Sequence, residues 1–259
     1  MMSPQPPSWL PPASPAQAEQ NGAGAREEKK KEEDKEEEGT WEIVDIGGGR
    51  GDLAISVGLN FDQRLQVSMV DRNDKALDTA REAMAKAGLG PQALTLLPAD
   101  LSAPTPLPLP ASDAKGRVWV GLHACGGLSD CILALAEGGG AGLPERQVEG
   151  FLCCPCCFLK NQELRSTAAV PDDKAWEDEG PAFPWVRLAR LAELTEQHLT
   201  SADPPQLAMH ALAARRLSRF SGPEWRTALL AFPPRFSPRN LVLAGIRVPT
   251  ATAAMRWRL

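Results

Sequence analysis

Four glycines fall within five positions in Asp45-Ile46-Gly47-Gly48-Gly49-Arg50-Gly51-Asp52, directly after the apolar run Trp41–Ile46. Glycine adopts positive φ without strain and lets the backbone come close to a ligand, because no Cβ intervenes. That many glycines weaken any helix or strand they join, so the turn has to return something, and a nucleotide-bearing cofactor is the natural occupant. About twenty residues on, Asp71 closes a second apolar run; its two acceptor oxygens suit the paired hydroxyls of a ribose. His123 can act as a general base on a hydroxyl or amine, its ordinary pKa lying near the operating pH, or it can order its own turn by bonding backbone carbonyls.

The glycine loop admits two cofactor readings. Gly49-x-Gly51-x-x-Ala54, with an acid further on, satisfies the looser dinucleotide fingerprint. The spacing Asp45-x-Gly47-x-Gly49-x-Gly51 resembles motif I of the class I S-adenosylmethionine (SAM) dependent methyltransferases. Asp45 at the strand end and the phase of the glycines favour the second. The resemblance implies SAM as cofactor, glycines passing under its methionine part, and an acid at Asp45 that fixes the loop and the cofactor's amino end. It also implies Asp71 at the ribose, and Asp100 and Leu101 at the adenine edge.

Two further motifs narrow the resemblance. Gly121-Leu122-His123-Ala124-Cys125-Gly126-Gly127-Leu128-Ser129-Asp130 ends a strand, and Cys153-Cys154-Pro155-Cys156-Cys157 ends the next. A His-x-Cys-Gly turn, a following Asp and a later Cys-Cys pair are similar to a subgroup of class I methyltransferases. That subgroup includes the tRNA 2′-O-methyltransferase of the acceptor stem and several methyltransferase-like proteins; the similarity spans about Trp41 to Val248. It points to His123 and Cys125 as candidate catalytic residues. The acceptor-stem enzyme carries zinc-finger segments ahead of its catalytic domain, and none is present here, so an RNA would be recognised by the domain itself or with a protein partner.

The cysteine run has three readings. Cys153 with Cys156, or Cys154 with Cys157, could hold a metal with Cys125 or His123 completing the ligands. Cys156 after Pro155 resembles the nucleophile of cytosine-5 methyltransferases. The favoured third reading is that small polarizable thiols pack the narrow space beneath the cofactor, with no residue assigned to a metal.

Positioning these groups takes alternating strands and helices. Strands are expected over Glu42–Ile46, Gln66–Asp71, Leu94–Leu97, Val118–Leu122 and Gly150–Cys154, with helices opening at Asp52 and spanning Lys75–Ala87 and Leu128–Leu135. Further helical patterns run from Trp185 to Gln197 and from Gln206 to Phe220. The last two apolar runs, Thr227–Phe232 and Leu241–Val248, read as a hairpin. The expected fold is α/β: a Rossmann-like class I methyltransferase with a mostly parallel seven-stranded sheet and an antiparallel C-terminal hairpin. Ligands of such sheets sit beyond the carboxyl ends of the strands.

The 259 residues are expected to divide into a disordered Pro/Ala-rich and acidic tail, 1–39, and one methyltransferase domain, 40–259. The absence of a long apolar stretch excludes a membrane-spanning helix, and clustered rather than dispersed cysteines fit a reducing, cytoplasmic or nuclear setting. The net charge is −5, yet Phe183 to Leu259 holds eleven arginines against four acids, or +7. An all-arginine basic segment suits phosphate contact, which makes RNA the expected acceptor and this segment its docking surface; solvated helix faces are the plain alternative.

Overall fold

A computed structural model describes residues 40–61, 65–101, 107, 109, 114–138, 148–160, 185–194 and 203–248. The expected tail, 1–39, lies outside the described residues. The strands are β1 (Trp41–Ile46), β2 (Leu65–Asp71), β3 (Thr95–Pro98), β4 (Gly116–Gly121), β5 (Val148–Cys153), β6 (Trp225–Ala231) and β7 (Leu241–Arg247). The helices are α1 (Asp52–Asn60), α2 (Asp74–Lys86), α3 (Gly127–Ala136), α4 (Trp185–Ala192) and α5 (Pro204–Leu217). The strands form one sheet in the order β3-β2-β1-β4-β5-β7-β6. β1 to β5 pair in parallel, and β7 runs antiparallel to both β5 and β6. This is the expected α/β fold, a mostly parallel seven-stranded sheet with an antiparallel C-terminal hairpin. No helix among the described residues is long and apolar enough to cross a membrane.

Local chemistry explains the boundaries. Asn73 caps α2, its side chain accepting from the Lys75 amide at 3.1 Å, and α5 opens on Pro204, where a missing N–H costs nothing. β4 begins two residues before the expected Val118 because Arg117 lies opposite Glu42 of β1 and pairs with it at 2.7 Å, both side chains buried. α4 ends at Ala192, and the Glu193 side chain beyond it accepts from the Phe158 amide after β5; the expected continuation from 195 to Gln197 lies outside the described residues. The main core packs Trp119, Ile132, Leu133, Phe151, Met209 and Leu212 between sheet and helices, and a second cluster around Met69, Leu77 and Met84 seats α1 and α2.

Candidate active site

β1 ends in the glycine loop, and the loop is tied to the neighbouring strand: the Gly47 amide donates to the Val70 carbonyl at 2.7 Å. Asp71 completes that tie. One carboxylate oxygen accepts from the Gly49 amide at 2.9 Å and the other from the Asn73 amide at 2.8 Å, which leaves each oxygen a further lone pair. Gly47, Gly49 and Gly51 all have positive φ, at 68°, 58° and 81°. A Cβ on Gly47 would come within 2.5 Å of Leu128, whereas one on Gly49 would meet nothing within 4 Å.

A cleft opens at the carboxyl ends of β1 to β4. Its wall takes Gly47 from the first strand end, Val70, Asp71 and Arg72 from the second, Ala99, Asp100 and Leu101 from the third, and His123 and Cys125 from the fourth, with Leu128 of α3 behind them. The structure therefore brings together Gly47, Asp71, Asp100, Leu101, His123 and Cys125 of the sequence-derived set. Asp45, Gly49 and Gly51 are not part of this wall. Asp45 lies beneath the loop, where its Oδ2 would be 2.8 Å from a Cβ on Gly48, and Gly51 faces Ile55 of α1 and Ala80 of α2.

Asp45 is 1% exposed, and its carboxylate oxygens make no hydrogen bond of good geometry among the described residues. Burial pushes its pKa up to about 7; the Ala54 amide opposes the rise and the charge of Asp71 adds to it. A buried carboxylate short of donors, under a loop that only glycine can build, fits a ligand bearing positively charged or N–H groups at the loop.

His123 and Cys125 sit in the turn between β4 and α3. The chain is held there by the segment leaving β5: the Ala124 amide donates to the Cys154 carbonyl at 3.1 Å, the Cys154 amide to the Gly121 carbonyl at 2.8 Å, and the Gly126 amide to the Cys157 carbonyl. Gly126 has φ 56°, and a Cβ on it would overlap the Lys160 carbonyl, so this position admits glycine alone. Hydrogen bonding from Cys156 holds the Cys125 pKa down, at about 6, against burial; Cys157, Lys160 and His123 add to the lowering. Cys153 is fully buried in the core, which fits the packing role, and burial pushes its pKa up to about 12. No disulfide joins the six cysteines.

Two supporting residues escaped the sequence reading. Arg216 of α5 is 0% exposed and forms a bidentate pair with Asp130 of α3, through Nε at 2.8 Å and Nη2 at 3.0 Å, and the same Nη2 also donates to the Gly126 carbonyl at 3.2 Å. Arg239 bonds the Cys156 carbonyl at 2.6 Å, the Cys157 sulfur at 3.2 Å and Glu193 at 3.0 Å. Glu193 in turn accepts from the Phe158 amide at 2.6 Å. Arg216 was counted with the arginine docking surface; burial among Asp130, Phe158 and Trp185 removes it from that surface. Arg219, paired with Glu137, and Arg239 are likewise spent on internal partners. The only sequence signal for Arg216 was Asp130 itself, an acid inside an otherwise apolar helix.

Solved structures similar to this chain include a SAM-dependent methyltransferase from Aquifex aeolicus (13% identity, 86% of this chain and 89% of that one, TM-score 0.43). The ribosomal protein L11 methylase from Lactobacillus delbrueckii subsp. bulgaricus aligns at 13% identity over 80% of this chain and 69% of that one, with TM-score 0.41. TrmK from M. capricolum, in complex with S-adenosyl-homocysteine, aligns at 11% identity over 80% and 62%, with TM-score 0.39. No curated protein sequence matches the chain. A family model described as a methyltransferase domain matches residues 27–164, more than half of the sequence. With the glycine loop, the strand-end acids and the strand order already pointing the same way, the chain belongs to the methyltransferase-domain family and is a class I methyltransferase whose cofactor is S-adenosyl-L-methionine.

Proposed function

We propose that this methyltransferase acts on RNA, at a ribose hydroxyl or a base nitrogen. The observation that carries the reading is the β6–β7 loop. Because Cys153 pairs with Leu243 and Gly150 with Ile246 in antiparallel register, the start of β7 lies beside the carboxyl end of β5. The loop 232–240 therefore emerges on the same side of the sheet as the cofactor cleft. At its tip Phe236 is 68% exposed, with the Arg235 guanidinium 4.7 Å from its ring centroid. An exposed aromatic face beside an arginine is what an unstacked base and its phosphate require. The His123-x-Cys125-Gly126 turn and the cysteine pair after β5 support a place in the subgroup that includes the acceptor-stem tRNA enzyme.

SAM, when bound, supplies an electrophilic methyl group on a sulfonium centre. Gly47 would line the methionine end, with Asp45 holding the loop from beneath. The spare lone pairs of Asp71 would accept the ribose hydroxyls, and Asp100 and Leu101 would meet the adenine. His123, exposed in the cleft wall, would take the proton that the acceptor sheds. Cys125, the other candidate, is engaged with Cys156 and Cys157, which leaves proton removal to His123. Transfer to an aligned nucleophile depends chiefly on positioning, so loss of His123 should slow turnover rather than abolish it.

The test is transfer of labelled methyl from SAM into total cellular RNA by the purified chain, with nuclease digestion of the product. Nuclease-sensitive label that falls in Arg235→Glu and Phe236→Ala supports the reading. Label confined to protein or small molecules would assign a different acceptor. SAM binding with no methylated product would indicate a silent interaction module.

A further inference from the structure

We infer that Cys125, Cys156 and Cys157 form a binding site for a soft divalent ion of the zinc class, at the edge of the cofactor cleft. Their three sulfurs lie within 4.8 Å of one another, and each residue is half-buried. Two sulfurs bound tetrahedrally at ~2.3 Å from an ion sit about 3.8 Å apart, so side-chain adjustments of an ångström or less would complete three of four ligand positions. The ligand set differs from the C-x-x-C pairings that the sequence offers: it joins one residue of the β4–α3 turn to an adjacent pair beyond β5.

The cluster is held by its surroundings rather than being a chance approach of flexible thiols. Both residues flanking Cys125 are fastened to the cysteine segment, Ala124 through the Cys154 carbonyl and Gly126 through the Cys157 carbonyl. Arg216 fixes Gly126 from the other side, at its carbonyl. Arg239 donates to the Cys157 sulfur at 3.2 Å and to the Cys156 carbonyl at 2.6 Å, and Glu193 locks that guanidinium. An N–H directed at a sulfur, itself positioned by a carboxylate, is the arrangement that orients thiolate ligands in metal sites. Three thiolates around a divalent ion leave one negative charge, which the Arg239 guanidinium offsets. Water takes the fourth position, as in zinc sites that keep one position open.

The site stands independently of the acceptor, and its test needs no activity. The full chain, reduced and freed of metal, is titrated with zinc(II) and with cobalt(II). One ion per chain is expected, with the sulfur-to-cobalt charge-transfer band and the visible bands of tetrahedral cobalt. Zinc should protect Cys125, Cys156 and Cys157 from alkylation, mapped by mass spectrometry, while Cys154 reacts as before. Cys125→Ser should lose the band, Cys154→Ser should keep it, and Arg239→Leu, removing a positioning residue, should weaken zinc roughly 10–100-fold. Equal alkylation of the three thiols with and without zinc in the unaltered chain, or a disulfide within the cluster and no retained ion, would overturn the inference.

Discussion

Asp45 ionises with difficulty because its carboxyl is buried beneath the glycine loop and short of donors, and the consequence is a measurable dependence of stability on pH. Its pKa rises from 3.8 unfolded to about 7 folded. Between those values the folded chain binds the extra proton, so this group's contribution to stability falls as pH rises through the window. The cost approaches about 4 kcal/mol above neutrality, at 1.36 kcal/mol per unit. Asp45→Asn should therefore match the parent near pH 4 and exceed it in denaturant midpoint near pH 8, while its SAM affinity falls; a stability difference that does not change with pH would show the carboxyl is not so burdened. Asp71 presents the converse case. It is bonded to two backbone amides and supports the loop, so Asp71→Ala should lose SAM affinity tenfold or more in calorimetry, about 1.4 kcal/mol, with the sheet intact. Gly49→Val, which strains a positive φ although its Cβ would meet nothing within 4 Å, should reduce binding with little change in core stability.

At the scale of elements, the α3–α5 contact ties the β4–α3 turn to the core. Asp130 and Arg216 are both buried, and removing one partner strands the other charge, at a cost of about 3–5 kcal/mol. Asp130→Ala should lower the unfolding free energy from urea titration by that much, and Asp130→Leu combined with Arg216→Met should recover most of the loss; an equally unstable double variant would show that the pair does more than satisfy itself. The strands and helices were legible because alternating apolar runs and their stop signals are local properties. β2, α2, β5 and the hairpin lie within two residues of their expected limits. Asp71 could be read from its distance to the loop for the same reason. The contacts that shape the turn could not: Arg216 reaches Gly126 across 90 positions and Arg239 reaches Cys157 across 82, and no local pattern encodes such pairings. The sequence offered Cys125 as a partner of the cysteine run but not its grouping with the adjacent Cys156 and Cys157, since the two strand ends meet only through parallel pairing of β4 with β5.

For the whole molecule, the question is how an acidic chain of net charge −5 would engage a polyanion. Of the eleven arginines in the C-terminal third, Arg216, Arg219 and Arg239 bond internal acids, whereas Arg187, Arg190, Arg226 and Arg235 are exposed. The arginines open to an RNA are thus fewer than the raw charge of that segment suggests. If those four side chains each neutralise one phosphate of a single-stranded target, the logarithm of the binding constant should fall with the logarithm of salt concentration at a slope of roughly −3, about −0.7 per contact. Arg235→Glu should flatten the slope by nearly one contact. Phe236→Ala should lower affinity about tenfold or more while leaving the slope unchanged, because stacking releases no counterions. Fluorescence anisotropy with a labelled single-stranded RNA across a salt series separates the two terms. A slope near zero in the parent chain would remove the electrostatic basis for RNA as acceptor, while a cofactor site at the ends of β1 to β3 would stand unaffected.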